Sequence, residues 1–239
     1  DLDGKFAAAV QVMDEARHVE VFARYLDKVG RRYPIDPDLK AIVEQILAES
    51  DWEAKCVGMQ VILESVALGF FRSGVEMARE PVLASFIGSV HEDEARHVAY
   101  GVLSLEARIP NLPEDARRRL ENLAYESVLR IAGRGGKPSF TTQWTALQTA
   151  GIDTATFIPK LLKEVTNPAG LDLEGLEEPM TRTVLPNLLR VGLIPERLLL
   201  GYQAQGWKID RAAGTIEDLH TWHADTQAAR AELTARGRT

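Results

Sequence analysis

Asp14-Glu15-Ala16-Arg17-His18-Val19 and Asp93-Glu94-Ala95-Arg96-His97-Val98 are the same six residues, written twice at an offset of 79 positions. Six identities that include Glu, Arg and His are hard to attribute to chance in a chain of 239 residues. Both copies lie in stretches rich in Ala, Leu, Val, Glu and Arg and poor in Pro and Gly. Their apolar positions fall three and four apart, the pattern of amphipathic helices. On a helix, residues three apart project from one face at about 60° to each other, so the Glu and His of each copy can grip one metal ion together. A single Glu-x-x-His says little, because helices collect such pairs for solubility. Two copies on neighbouring helices, joined by a lone Glu from each of two further helices, make the ligand set of a carboxylate-bridged two-metal bundle.

Outward from the motifs, the first hundred residues read as helices with no credible strand. A first helix is expected over 4–28, stopped by Gly30 and the 31–37 turn, because Pro34 and Pro37 cannot sit inside it. A long helical run over 38–78 follows, with Ser50-Asp51 marking a break and an N-cap. The third helix opens at Glu80-Pro81, with proline in its first turn, and runs to 108. Asn111-Leu112-Pro113 stops it, and a fourth occupies 114–131. Residues 133–139, with three glycines and a proline, read as a linker. Shorter helices broken by prolines are expected over 144–164, 178–191, 195–204 and 216–236. The fold class is therefore all-α: a metal-binding four-helix bundle over 1–132 and a helical C-terminal region over 133–239 with no chemistry of its own.

The bundle needs lone glutamates. Glu64 lies in Val61-Ile62-Leu63-Glu64-Ser65-Val66-Ala67-Leu68-Gly69-Phe70-Phe71, where a carboxylate is costly to bury alone and a metal ion removes that cost. The other lone Glu belongs upstream of Glu15, where, Asp14 of the motif apart, only Asp1 and Asp3 are acidic. The first bundle helix is thus expected to lie outside this chain. Two histidines and four carboxylates form a hard nitrogen and oxygen site, suited to iron or manganese rather than structural zinc. Two iron ions are the expected cofactor. Ala67, Leu68, Phe70 and Phe71 offer an apolar lining beside the metals, although a stripe at helical spacing is also what plain core looks like.

Composition narrows the partners. A formal net charge of −7 and a pI near 5.4 argue against a phosphate-tracking surface, so no nucleic acid is expected. A hydrophobic share of 45% is enough for a full core. No uncharged apolar run of about 18 residues calls for a membrane, and the chain is expected to be soluble. With Cys56 as the single cysteine no intrachain disulfide can form, which fits a reducing cytoplasm. Cys56 itself reads as a small core residue. No leader is visible at Asp1. A dimer is the default assembly.

The Asp-Glu-x-Arg-His form of both motifs resembles the hydroxylase subunits of bacterial multicomponent monooxygenases and, more loosely, the ribonucleotide reductase small subunit and its ligand-binding oxidase relatives, all of the ferritin-like class. The resemblance covers roughly residues 4–108. It implies that Glu15 and Glu94 bridge two irons, that His18 and His97 each ligate one, and that Glu64 is a terminal ligand. It implies too that Asp14 and Asp93 hydrogen-bond the ligating imidazoles while Arg17 and Arg96 tie to those aspartates, which fixes each tautomer. His91, three residues before Glu94, is an additional candidate ligand, since p-aminobenzoate N-oxygenases carry an extra histidine nearby at a different spacing. Where a radical-forming reductase subunit has tyrosine one turn after the first histidine, this chain has Phe22, so no stable tyrosyl radical is expected. Tyr25 and Tyr100 read as packing. The activity implied is oxidation of a small organic substrate by O₂, with electrons from a separate donor, as no nucleotide fingerprint is present. Iron storage or peroxide scavenging in the manner of ferritin or rubrerythrin is the rival. The extra C-terminal residues and the lack of Cys-x-x-Cys weigh against it.

Overall fold

The computed structural model describes residues 2–30, 32, 34–35, 37–132 and 180–218, and these are mostly helical. The expected linker over 133–139, the helix over 144–164 and most of that over 216–236 lie outside the described residues. Helix α1 (Leu2–Val29) closes at Gly30, whose φ of 117° is one that side-chain-bearing residues avoid. Helix α2 (Pro37–Ala48) ends at the expected break. Asp51 takes the extended backbone of an N-cap, but its side chain caps nothing. Its carboxylate pairs with Arg119 of a later helix instead, a tertiary partner that outcompetes the local one.

From there α3 (Trp52–Cys56), a π-helical turn (Val57–Leu63) and α4 (Glu64–Met77) run on without interruption. A plain α-helix was expected through this stretch. The π-turn is tightly packed: Gly58 lies so close to Ile46, and Gly101 so close to Gln60, that a Cβ on either glycine would collide with its neighbour. Helix α5 (Pro81–Arg108) is capped by Glu80, whose carboxylate accepts from the N–H groups of Val82 at 3.0 Å and Leu83 at 2.7 Å. A 3₁₀ turn (Ile109–Asn111) leads into α6 (Glu114–Ala132).

The described part of the C-terminal region begins with a second π-turn (Met180–Val184) and α7 (Leu185–Arg190). A 3₁₀ turn (Glu196–Leu198) and α8 (Leu199–Ala204) follow. The helix expected from 216 is contradicted at its start. β1 (Trp207–Asp210) and β2 (Thr215–Asp218) form an antiparallel hairpin that pairs Ile209 with Ile216. Asp210 Oδ1 accepts from the N–H groups of Ala212 and Ala213, each at 2.9 Å, and Gly214 adopts φ 68°. That side-chain-capped turn reverses the chain before a helix can start. Apart from this hairpin the described chain is all-α.

One apolar core joins these parts. Val57 and Val61 of the π-turn, Leu105 of α5, Ala124 and Val128 of α6, and Val184, Leu188 and Trp207 are fully buried together. Cys56 lies in the same cluster, and burial pushes its thiol up to about 12. Asn187 Nδ2 donates to Ser65 Oγ at 2.9 Å and Thr183 Oγ1 to Ser65 O at 2.7 Å, so the C-terminal segment clasps α4 beside Glu64. The run Trp52–Arg72 is apolar and long enough to cross a membrane by composition and length alone, yet nearly half of it is buried inside this fold. Helix α1 is different: it buries only Asp14 and His18, and leaves Leu2, Phe6, Val10 and Met13 on an exposed flank.

Candidate metal centre

Helix α5 packs against both α4 and α1, so the two identical hexapeptides face each other and the first turn of α4 brings Glu64 to them. One ligand atom from each of Glu15, Glu64, Glu94 and His97 lies within 4.8 Å of all the others, close enough to hold a metal ion. His18 adjoins this group through the same two carboxylates. Its Nδ1 is 3.3 Å from Glu94 Oε1 and 3.5 Å from Glu15 Oε2. His97 Nδ1 is 3.0 Å from Glu94 Oε2 and 3.3 Å from Glu15 Oε1. Glu15 and Glu94 therefore each divide their two oxygens between the two imidazoles. Glu64 approaches the His97 side, with Oε2 3.8 Å from His97 Nδ1.

The other imidazole nitrogens cross over. His18 Nε2 is 3.0 Å from Asp93 Oδ2, and His97 Nε2 is 3.3 Å from Asp14 Oδ2, so each aspartate supports the histidine of the opposite helix. Arg17 donates to Asp14 Oδ1 at 3.0 Å and also to Asp93, while Arg96 donates to Asp93 and stands 3.9 Å from Asp14. A carboxylate on Nε2 keeps the proton there and leaves the Nδ1 lone pair for the centre.

Crowding this many acids into a buried space shifts their proton affinities. Burial pushes the Glu94 carboxyl up to about 8, with repulsion from Glu64 and Glu15 adding to it and His97 opposing. Burial works against a charge on His97, but the carboxylates of Glu15, Glu64 and Glu94 around it win and raise it to about 12. Burial also raises Glu64, yet hydrogen bonding from its neighbours, His97 first, leaves it below the usual carboxylate range. Asp93 is likewise held low, its burial outweighed by His18, Arg96 and Arg17.

Two atoms of the centre remain unsatisfied. Glu15 Oε1 and His18 Nδ1 are buried and make no hydrogen bond, although both stand within 3.5 Å of oppositely polar groups. An orphaned buried polar group costs about 1–3 kcal/mol. A cation among them satisfies both, and the hard nitrogen and oxygen donors fit iron or manganese.

Not every expected residue joins. His91 is half-buried, and among the described residues no hydrogen bond or ion pair links it to the group. No further Asp or Glu of the described residues supplies a terminal carboxylate on the His18 side. Phe70 is expected near the site from the sequence but is 60% exposed, and Leu68 packs against the core. Phe71 does approach: it stacks on Phe22 at 5.6 Å, Phe22 meets Phe86 edge-on at 5.2 Å, and Tyr25 also packs on Phe86. This aromatic cluster sits one turn beyond His18. Sequence reading missed Gln11, whose Nε2 donates to Glu64 Oε1 at 2.8 Å, and Gln60, whose Nε2 donates to Gln11 Oε1 at 3.0 Å. Gln11 lies one turn before Glu15, so helical spacing alone could have put it on the site's face. Compared with protein-family models, curated proteins and solved structures, the chain matches none.

Proposed function

We propose that this chain is a carboxylate-bridged di-iron oxidase or monooxygenase, built on a ferritin-like helical bundle, that uses O₂ to oxidise a small organic substrate. The observation that carries the reading is the shared use of Glu15 and Glu94 by two imidazoles, each backed by an aspartate from the opposite helix. In this reading Glu15 and Glu94 would serve both irons, His18 and His97 would each hold one, and Glu64 would hold the iron on the His97 side. A ferrous pair, when bound, supplies the electrons and open coordination positions that O₂ activation requires.

The chain's own groups prepare that chemistry. Asp14 and Asp93, pinned by Arg17 and Arg96, fix the imidazole tautomers and ring planes. Glu94 and His97 hold protons in the metal-free centre and release them as cations enter. Phe22, Phe71 and Phe86 exclude water beyond His18. The side chain of Glu15 is 45% exposed, which leaves the centre open to a small molecule from the α1 side. Re-reduction falls to a separate electron donor.

The test is anaerobic loading with Fe(II), iron analysis and rapid mixing with O₂, followed by absorbance and Mössbauer spectroscopy. About two irons per chain are expected, with oxygen consumed and no mineral core formed. Undiminished iron in both Glu64→Ala and His97→Ala would sink the assignment. Hundreds of irons per assembly would favour storage.

A further inference from the structure

The two metal positions share Glu15 and Glu94 but are not built alike. The His97 position has a third carboxylate, Glu64, and that residue is itself held. An ionised carboxylate only accepts hydrogen bonds, so the Gln11 atom facing Glu64 Oε1 is its NH₂ group, and its carbonyl oxygen is left to accept. Gln60 supplies the donor, giving a one-way chain from Gln60 through Gln11 to Glu64. Gln60 is positioned in turn by the π-turn, which presses it onto α5 at Gly101, where no larger residue fits. With Oε1 committed to Gln11, Glu64 has Oε2 to offer the His97 side.

Among the described residues the His18 position has no counterpart to this. The same 79-residue offset that relates the hexapeptides puts Val90 of α5 in the place of Gln11. Val90 is buried and apolar and can orient nothing. His18 Nδ1, on a side chain more than nine-tenths buried, is left without a hydrogen bond. Among the described residues the donors are four on one side, Glu15, Glu94, His97 and Glu64, and three on the other, Glu15, Glu94 and His18.

We infer that the two positions fill in order, the His97 position first and tightly and the His18 position second and weakly, and that Gln11 and Gln60 are positioning residues that create the difference by holding Glu64. This rests on the reading of the site as a two-metal centre.

The full chain, stripped of metal, is titrated with Co(II) under anaerobic conditions and followed by visible absorption and calorimetry. Two steps of about one ion each are expected, the first tighter by about tenfold or more. His18→Ala removes the second step alone. Gln11→Leu weakens the first step by about 10- to 100-fold and leaves the second in place, the loss typical of a group that orients a ligand. Gln60→Leu, which acts through Gln11, gives a smaller loss in the same step and serves if Gln11→Leu fails to give a cooperative melt by circular dichroism. A merely structural role for Gln11 would lower both steps together, and that result overturns the inference. So does one step of two equal ions, or loss of the first step in His18→Ala. A chain that binds no Co(II) at all overturns the two-metal reading and the inference with it, whereas equal filling overturns the inference alone.

Discussion

The same six residues meet two different environments. On α5, Glu94 is 3% exposed and Val98 is 6% exposed. On α1, the Glu15 side chain is 45% exposed and Val19 is 70% exposed. Helix α5 packs against both α4 and α1 and sends Val98, Val102 and Leu105 into the common core. Helix α1 lies on the outside and turns only Asp14 and His18 fully inward. Sequence identity thus guarantees the local geometry of Glu and His on one helical face. It does not guarantee burial, proton affinity or the completeness of the ligand set, which come from what each helix packs against.

The largest expected difference between the copies is in folding. Val98→Asp forces a charge into the interior and should cost about 3 kcal/mol. Val19→Asp, the same change at the twin position, should stay within about 0.5 kcal/mol. Urea unfolding of the two variants measures both, and equal costs would show that α1 is as enclosed as α5.

A second contrast should vanish at the metals. Glu15 and Glu94 differ in exposure but are shared in the same way, so Glu15→Ala and Glu94→Ala should each weaken binding at both positions. The loss should reach at least the roughly 100-fold that bounds ligand-orienting groups. Calorimetry with Co(II) reads this directly. If Glu15→Ala leaves one ion tightly bound, the exposed carboxylate is not a bridge.

The smallest effect is a pH dependence of the metal-free protein. Glu94 is raised from 4.5 to about 8 and His97 from 6.5 to about 12, so between pH 5 and pH 8 the folded chain holds protons that the unfolded chain has released. Stability should therefore fall as pH rises through this window. Below it the sign reverses, because Glu64 and Asp93 are held low and lose their contribution as they take up protons. Glu94→Gln should flatten the decline, and so should bound Co(II), which takes the place of the protons. Thermal melts from pH 5 to pH 8 test it, and a steady rise in Tm of the metal-free protein would contradict the proton inventory of the centre.

Much of this was readable in advance. The duplicated hexapeptide marked α1 and α5 as partners, and the apolar run around Glu64 marked a carboxylate that needs company. Prolines and glycines set the ends of α1, α2, α5 and α6 to within a few residues of their positions. Other features were hidden. Asp51 is drawn off its own helix by Arg119. Phe70 and Phe71 are neighbours in an apolar stripe, yet one faces out and the other meets Phe22. His91 shares a helical face with Glu94 by spacing, but it is half-buried and lies outside the ligand group.

The sequence by itself determined the helical periodicity, the two Glu-x-x-His pairs and a carboxylate, Glu64, set in an apolar run where it needs a partner, because these follow from 3.6-residue spacing and the cost of burying charge. Only the tertiary structure decided which imidazole each aspartate supports, that Gln11 of α1 steers Glu64 of α4, and that a π-turn replaces α-helix at Val57–Leu63. Those outcomes depend on side chains from separate helices competing for the same space and the same hydrogen bonds, as Gln60 and Gly101 do, and one-dimensional spacing carries no record of that competition.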